Sequence, residues 1–310
     1  MLGHPEPHTR IAEWVRDVFS NLCQALNESS DQISNANVAT AIMLASLQII
    51  APNTFEVEIS WQQHLSIARS MIMARGGPRA VNRTKDRVSY FLIRWFAYLD
   101  VLGAFSTKAD QALFTGDLYD FEDDAHDFQI DCVLGFSGYL AGILAKIADL
   151  ARRCDNERVT STGELDPSWT PAPDVLLAAE RIKSDLQAAG HQRYSLCPHR
   201  QKNSDIEASY QALEMSATNE AFHWAGIIHL HKRVLGLPQE APEVQNAVRS
   251  VIGTLYKVRK GGAAEACLIF PLFTAGCEAK EESQREIIME RIMSVEASGM
   301  AQVCNRHFFV

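Results

Sequence analysis

Positive charge is in short supply. Lys and Arg total 29 against 38 Asp and Glu, for a formal net charge of -9. A firm grip on a phosphate backbone needs clustered basic residues, so specific DNA binding by this segment is not expected. Paired cysteines are missing too. The 7 cysteines (Cys23, Cys132, Cys154, Cys197, Cys267, Cys277, Cys304) are scattered, with no CxxC among them, which argues against a disulfide framework or a structural zinc site. They read as reduced thiols, mostly buried as small hydrophobes. No basic-then-apolar segment opens the chain. The longest clean apolar run, at about 39–51, contains Gln48 and is too short to cross a bilayer, so no membrane insertion is expected. GxSxG, phosphate-loop and GxGxxG patterns, solenoid repeats, low-complexity tracts and period-two alternation are all lacking.

What remains is a chain suited to helices. Of its 310 residues 47% are apolar and 22% charged, an ordinary globular balance with enough apolar surface for a sizeable core. Ile11, Val15, Val18, Leu22 and Leu26 recur in steps of three and four, which puts them on one face of an amphipathic helix. Further helices are predicted over 35–50, over 60–75 behind a Ser60…Gln63 capping box, and over 85–102, 127–153, 174–189, 205–235, 243–259, 263–280 and 283–297. Long loops are expected over 151–173 and 190–205, where Thr162-Gly163, Pro167, Pro171, Pro173 and Cys197-Pro198-His199-Arg200 interrupt the pattern. Gly236 and Pro238 supply stop chemistry for the long helix before them. The fold expected is all-α: a large multi-helix bundle forming a single domain over 1–310. Pro271 removes a backbone hydrogen bond inside the apolar segment Cys267 to Ala279, so that helix should kink or restart there. A kinked apolar helix with Gly276 beyond it leaves unfilled volume, hence an expected apolar pocket near the C-terminal helices. The final Phe308-Phe309-Val310 reads as a helix cut short, as in a fragment of a longer protein.

Residues capable of chemistry do not assemble into a catalytic site. His223, His229 and His231 follow Glu220, but a di-iron bundle needs two Glu-x-x-His motifs and only one is present, while His229 and His231 diverge on a helix. The acids of Glu122-Asp123-Asp124-Ala125-His126-Asp127 fit the first turn of a helix, where they complement its dipole. Arg75-Gly76-Gly77-Pro78-Arg79 and Gly261-Gly262 fit turns better than anion cradles. Cys277 is expected in the core rather than as a reactive thiol. The aromatic runs Tyr90-Phe91…Trp95-Phe96…Tyr98 and Phe136…Tyr139 read as core. Glu278 is expected to cap or to pair with an arginine inside the domain, because an unpartnered buried carboxylate is costly.

Several segments together carry a resemblance. Phe270-Pro271-Leu272-Phe273-Thr274-Ala275-Gly276-Cys277-Glu278-Ala279, followed by Arg285, is the strongest. Arg94-Trp95-Phe96-Ala97-Tyr98-Leu99-Asp100, Leu134-Gly135-Phe136-Ser137-Gly138-Tyr139-Leu140 and Asn219-Glu220-Ala221-Phe222-His223-Trp224-Ala225 stand in the matching order. Over about residues 10 to 306 the chain resembles the C-terminal regulatory domain of fungal binuclear zinc-cluster transcription factors, the second fungal transcription-factor domain family, sterol sensors among them. The six-cysteine zinc cluster and basic linker of such proteins are absent from this sequence, so zinc is expected only in a separate DNA-binding domain and no cofactor in this chain.

The resemblance implies an all-helical, non-catalytic domain that restrains an activator until a small apolar or amphipathic effector, sterol-like in some relatives, or a protein partner acts on it. It places the effector near Phe270, Phe273, Gly276 and Cys277, with Trp95 and Phe96 as a facing wall; Thr274 is the polar group expected in the pocket that the kinked apolar helix leaves. Nuclear localisation with shuttling from the cytoplasm, a homodimer and co-regulator proteins as partners are its further expectations. Two other classes stay open on residues alone: an interaction scaffold whose interior is only core, and a helical-bundle lyase that would use Asp123-Asp124.

Overall fold

The computed structural model of the chain describes residues 5–26, 33–50, 59–81, 85–106, 128–131, 134–158, 166, 168–196 and 206–297. Helices dominate them, as the all-α expectation requires. The chain divides into two compact units, residues 1–100 with 300–303 and residues 101–299 with 304–310.

The first unit holds α1 (Pro5–Ala25), α2 (Asn35–Ile50), α3 (Trp61–Ala74) and most of α4 (Arg87–Ser106). Val15 and Leu22 of α1 are buried with Val38, Ile42 and Ala45 of α2 and Leu65, Ala68 and Met71 of α3, so the three- and four-residue steps read in the sequence do become the packing face. The predicted capping box is present: Ser60 Oγ accepts from the Gln63 amide at 3.3 Å and Gln63 Oε1 accepts from the Ser60 amide at 2.7 Å. At the other end of α3, Gly76 and Gly77 take φ of 92° and 75°, values open to glycine and strained for other residues. Arg75, at that turn, donates to Asn35 and Ser89, so the basic glycine turn is a helix-to-helix tie. On α4, Asp100 is paired with Arg69 of α3 at 2.6 Å. By length and composition Arg87–Phe105 is apolar enough to cross a membrane, a property it shares with core helices.

His64 of α3 is fully buried, its ring edge-on to Phe19 at 5.2 Å, and neither nitrogen has a hydrogen-bond partner among the described residues. Burial holds its pKa down at about 4, against 6.5 for the free imidazole. Above pH 6.5 both folded and unfolded forms are neutral and nothing is lost. As the pH falls from 6.5 towards 4 the unfolded chain takes up a proton that the fold refuses, and this group alone withdraws about 3 kcal/mol of stability. Urea midpoints at pH 7 and pH 4 should therefore converge on substitution of His64→Phe. An undiminished acid loss in that variant contradicts the assignment.

The second unit is built from α5 (Gly138–Arg158), α6 (Pro173–His191), α7 (Ile206–His229) continuing into a π turn (Leu230–Val234), α8 (Pro242–Leu255), the short α9 (Ala263–Ala266), α10 (Ile269–Glu278) and α11 (Glu282–Ala297). α7 packs on α8, α5 and α10, and α10 also packs on α8 and α11, so α7 and α10 are central to the unit. A two-residue parallel pair, β1 (Gln129–Ile130) with β2 (Ser195–Leu196), is the strand pairing among the described residues, and Ile130 also makes an isolated antiparallel bridge to Ser137.

Three sequence boundaries need correction. The helix expected over 127–153 begins at Gly138, because 129–130 is committed to β1 and Ser137 caps the helix by accepting the Leu140 amide at 3.2 Å. It runs on to Arg158, keeping Ala151 and Cys154 on its buried face, so part of the loop expected over 151–173 is helical. The segment 263–280 is two helices whose break falls at Cys267-Leu268. Pro271 then sits in the first turn of α10, where its missing amide hydrogen leaves no bond unmade, so the restart comes before the proline instead of at it. The acidic run 122–127, the cysteines at 132, 197 and 304 and the chain end lie outside the described residues.

Behind α9 and α11 lies a fully buried ion pair. Glu265, with no exposed surface, lies 3.0 Å from Arg291 Nε and accepts from Ser294 and from the Gly261 amide. Arg291 Nη2 donates to the Leu255 carbonyl at the end of α8 and to the Val258 carbonyl just beyond it.

Candidate functional site

The first turns of α10 lay Phe270 into an aromatic column. Phe270 stacks on Phe222 of α7 at 5.7 Å with 13° between the rings, and Phe222 in turn meets Phe136 at 4.2 Å. On its other side Phe270 lies 5.5 Å from the His229 ring and 5.3 Å from Phe105, which stack on one another at 4.2 Å. Phe222 and His229 are seven residues apart, hence on one face of α7. Phe136 and Phe222 are fully buried, so this is packed interior along its inner half.

The segments flanking Phe136 are fixed by groups from α7 and α9. Gly135 has φ of 83°, and a Cβ there would stand 2.9 Å from Cys267 Cβ, so both conformation and space demand glycine. Thr218 Oγ1 donates to the Gly135 carbonyl at 2.7 Å, and Asn219 Oδ1 accepts the Ser137 amide at 2.9 Å. Three stretches singled out in the sequence, 134–140, 219–225 and 270–279, therefore meet: Gly135, Phe136 and Ser137 against Thr218, Asn219 and Phe222, and Phe222 against Phe270.

A polar cluster borders the column. His229 Nε2 and Thr274 Oγ1 are hydrogen-bonded at 3.0 Å, and Thr274 is buried. Burial, with the nearby Arg233 charge pushing the same way, lowers the His229 pKa to about 3, so the ring is neutral at physiological pH. Arg233 pairs with Asp155 of α5 at 2.5 Å, donates to the Phe105 carbonyl at 3.0 Å and lies over the Phe105 ring. Glu278, at the end of α10, is raised above the usual carboxylate range by burial, opposed by Lys232 at 3.4 Å. The expected arginine partner of Glu278 is thus a lysine, and Arg285 instead caps α10 by donating to the Ala279 carbonyl at 2.8 Å.

Of the residues marked in the sequence, Phe270 and Thr274 are held together with the aromatic column and His229. Phe273 and Gly276 are half-buried on the same helix. Cys277 is exposed, with its thiol pKa raised by burial of the sulfur and the charge of Glu278, which corrects its expected place in the core and leaves it a poor nucleophile. Trp95 and Phe96 stand on α4 in the first unit, Phe96 buried and Trp95 tilted against Phe91 at 5.8 Å. His223, His229 and His231 do not converge on one point, and among the described residues no group of three potential ligands could hold a metal. Phe105, Lys232 and Arg233 were not singled out in the sequence. Only the spacing of seven from Phe222 to His229 signals that α7 presents a continuous face here.

Against known proteins, a family model described as a fungal specific transcription factor domain matches residues 4–306, nearly the whole chain. No curated protein and no solved structure matches it.

Proposed function

The chain belongs to the family of fungal specific transcription factor domains, and from that premise we propose that it is a non-catalytic regulatory domain, acting in the nucleus, that receives a small apolar or amphipathic effector on the face of α10 bearing Phe270, Phe273 and Thr274. A role in the regulation of transcription follows from the family itself. The observation that carries the finer reading is the meeting of the α10 aromatic with α7 and with the 134–140 segment in one column, bordered by a neutral, hydrogen-bonded His229–Thr274 pair. Apolar surface with few polar groups is the usual make-up of a small-molecule site. An effector that binds one arrangement of α7 and α10 more tightly than another shifts the population towards it, and no chemistry on the effector is needed.

DNA reading is assigned to a separate zinc-cluster domain, and sterol-like chemistry is one candidate within the effector class. The test is the chain fused to an unrelated DNA-binding domain in a reporter strain. Phe270→Ala should change reporter output at least about threefold while the purified variant stays helical by circular dichroism. Unchanged output from a folded Phe270→Ala chain argues against the α10 face.

A second reading has its own observation. Ile206, Tyr210 and Leu213 recur at helical spacing on α7 and are exposed, Ile206 at 77%. Self-association or a co-regulator protein would use such a stripe, and Ile206→Glu should then shift the molecular mass in solution without touching reporter control by an effector.

A further inference from the structure

α7 does not end as an ordinary helix. Beyond His229 the backbone widens into a π turn over Leu230–Val234, closed by the Leu235 amide donating to the Leu230 carbonyl at 3.0 Å. Turns of this kind hold one residue too many for an α-helix, are rare, and persist where outside contacts compensate. Here three side chains within five positions reach three other elements. His229 bonds Thr274 on α10. Lys232 lies 3.4 Å from the Glu278 carboxylate at the end of α10. Arg233 pairs with Asp155 on α5 and donates to the Phe105 carbonyl in the last turn of α4.

The same residues in α-helical register would be turned by roughly 100° beyond the bulge, and Lys232 and Arg233 could not both keep their partners. The displaced residue has somewhere to go. Just past the turn the Leu237 amide bonds the His231 carbonyl at 2.9 Å, and Gly236, at φ of 67°, ends the helix with the backbone freedom only glycine offers. Release is also energetically accessible: Lys232, Glu278, Arg233 and Asp155 keep side-chain exposures of 24%, 19%, 19% and 27%. Such pairs are neither sealed from water, where breaking one is prohibitive, nor so exposed that they contribute nothing. Asp155 also holds Arg158 at 2.5 Å and so stays paired when Arg233 leaves.

We propose that the Leu230–Val234 turn is a two-state clasp: closed, as described here, it ties α10 to α5 and to the last turn of α4, and opened by a return to α-helical register it lets go of Glu278, Asp155 and the Phe105 carbonyl together. The clasp is built into the chain and needs no effector, so it stands apart from the effector reading; where both hold, an effector on α10 acts by biasing the clasp.

Hydrogen–deuterium exchange of the whole chain tests it. Glu278→Gln removes the partner charge of Lys232 and nothing else of comparable strength. Its expected signature is exchange raised about tenfold in 230–237 and in the last turn of α4, as well as in α10, with α8 unchanged. Asp155→Asn should loosen the same set from the other side. Deprotection confined to the neighbourhood of each substitution, or spread evenly through α8, overturns the clasp. If Asp155→Asn does not fold, Glu278→Gln decides alone.

Discussion

Replacing Glu265 by alanine is expected to cost the fold about 3–5 kcal/mol, the largest single effect among its polar side chains. The reason is what would be left behind. Arg291 is 5% exposed and cannot lose its proton, so removal of the buried carboxylate paired with it strands a full charge in the interior. Its contacts to the Leu255 and Val258 carbonyls solvate that charge only in part. The Gly261 amide and the Ser294 hydroxyl lose their acceptor at the same time. Breaking the pair differs from replacing it: Glu265→Leu with Arg291→Met removes both desolvation costs and should recover most of the loss. Urea unfolding at constant m-value measures both. A single variant within about 1 kcal/mol of wild type would show that the pair is hydrated in solution.

Truncating Phe222 to alanine is expected to cost about 3–5 kcal/mol. Phe222 is fully buried between Phe136 and Phe270, so its loss opens a cavity in the middle of the aromatic column and both neighbours lose a stacking partner. The cost is expected to come with a local signature, because Phe270 is held by Phe222 on one side and by His229 and Phe105 on the other. α10 should lose exchange protection before α8 does. Phe222→Leu, which refills part of the space, should restore more than half the stability. A Phe222→Ala chain within about 1 kcal/mol of wild type would mean that the column collapses without strain and does not define α10.

Much of this architecture is legible in the sequence, and for identifiable reasons. Val15, Leu22, Ile42 and Met71 follow the helical period and are buried on it, and Ser60 with Gln63 forms the capping box that their spacing predicts. Local rules reached these because the chemistry is local. The start of α5 was beyond such rules: Gln129 and Ile130 are drawn into a strand by Ser195 and Leu196, partners more than sixty residues away. Pro271 misled in a different way. A proline inside an apolar run is compatible with a kink or with a first turn, and the choice rests on the break at Cys267-Leu268, which Gly135 helps to fix from another part of the chain.

The site follows the same division. Phe270 was marked through the resemblance and Thr274 as a polar group of the expected pocket, and both stand in one cluster with His229, whereas Cys277, expected in the core, is exposed. Lys232 and Arg233 were not singled out in the sequence, because their partners Glu278 and Asp155 lie 46 and 78 positions away in the chain. Nothing in the period of α7 announces the π turn that aims them.

Native mass spectrometry of the chain purified from a eukaryotic host, followed by extraction of whatever is bound, tests the central claim most directly. The account predicts a retained apolar or amphipathic molecule at one per chain, lost or weakened in a folded Phe270→Ala variant. A bare polypeptide mass, together with no thermal stabilisation by a panel of sterols and metabolites, would contradict the effector reading and leave a domain that works through protein contacts alone.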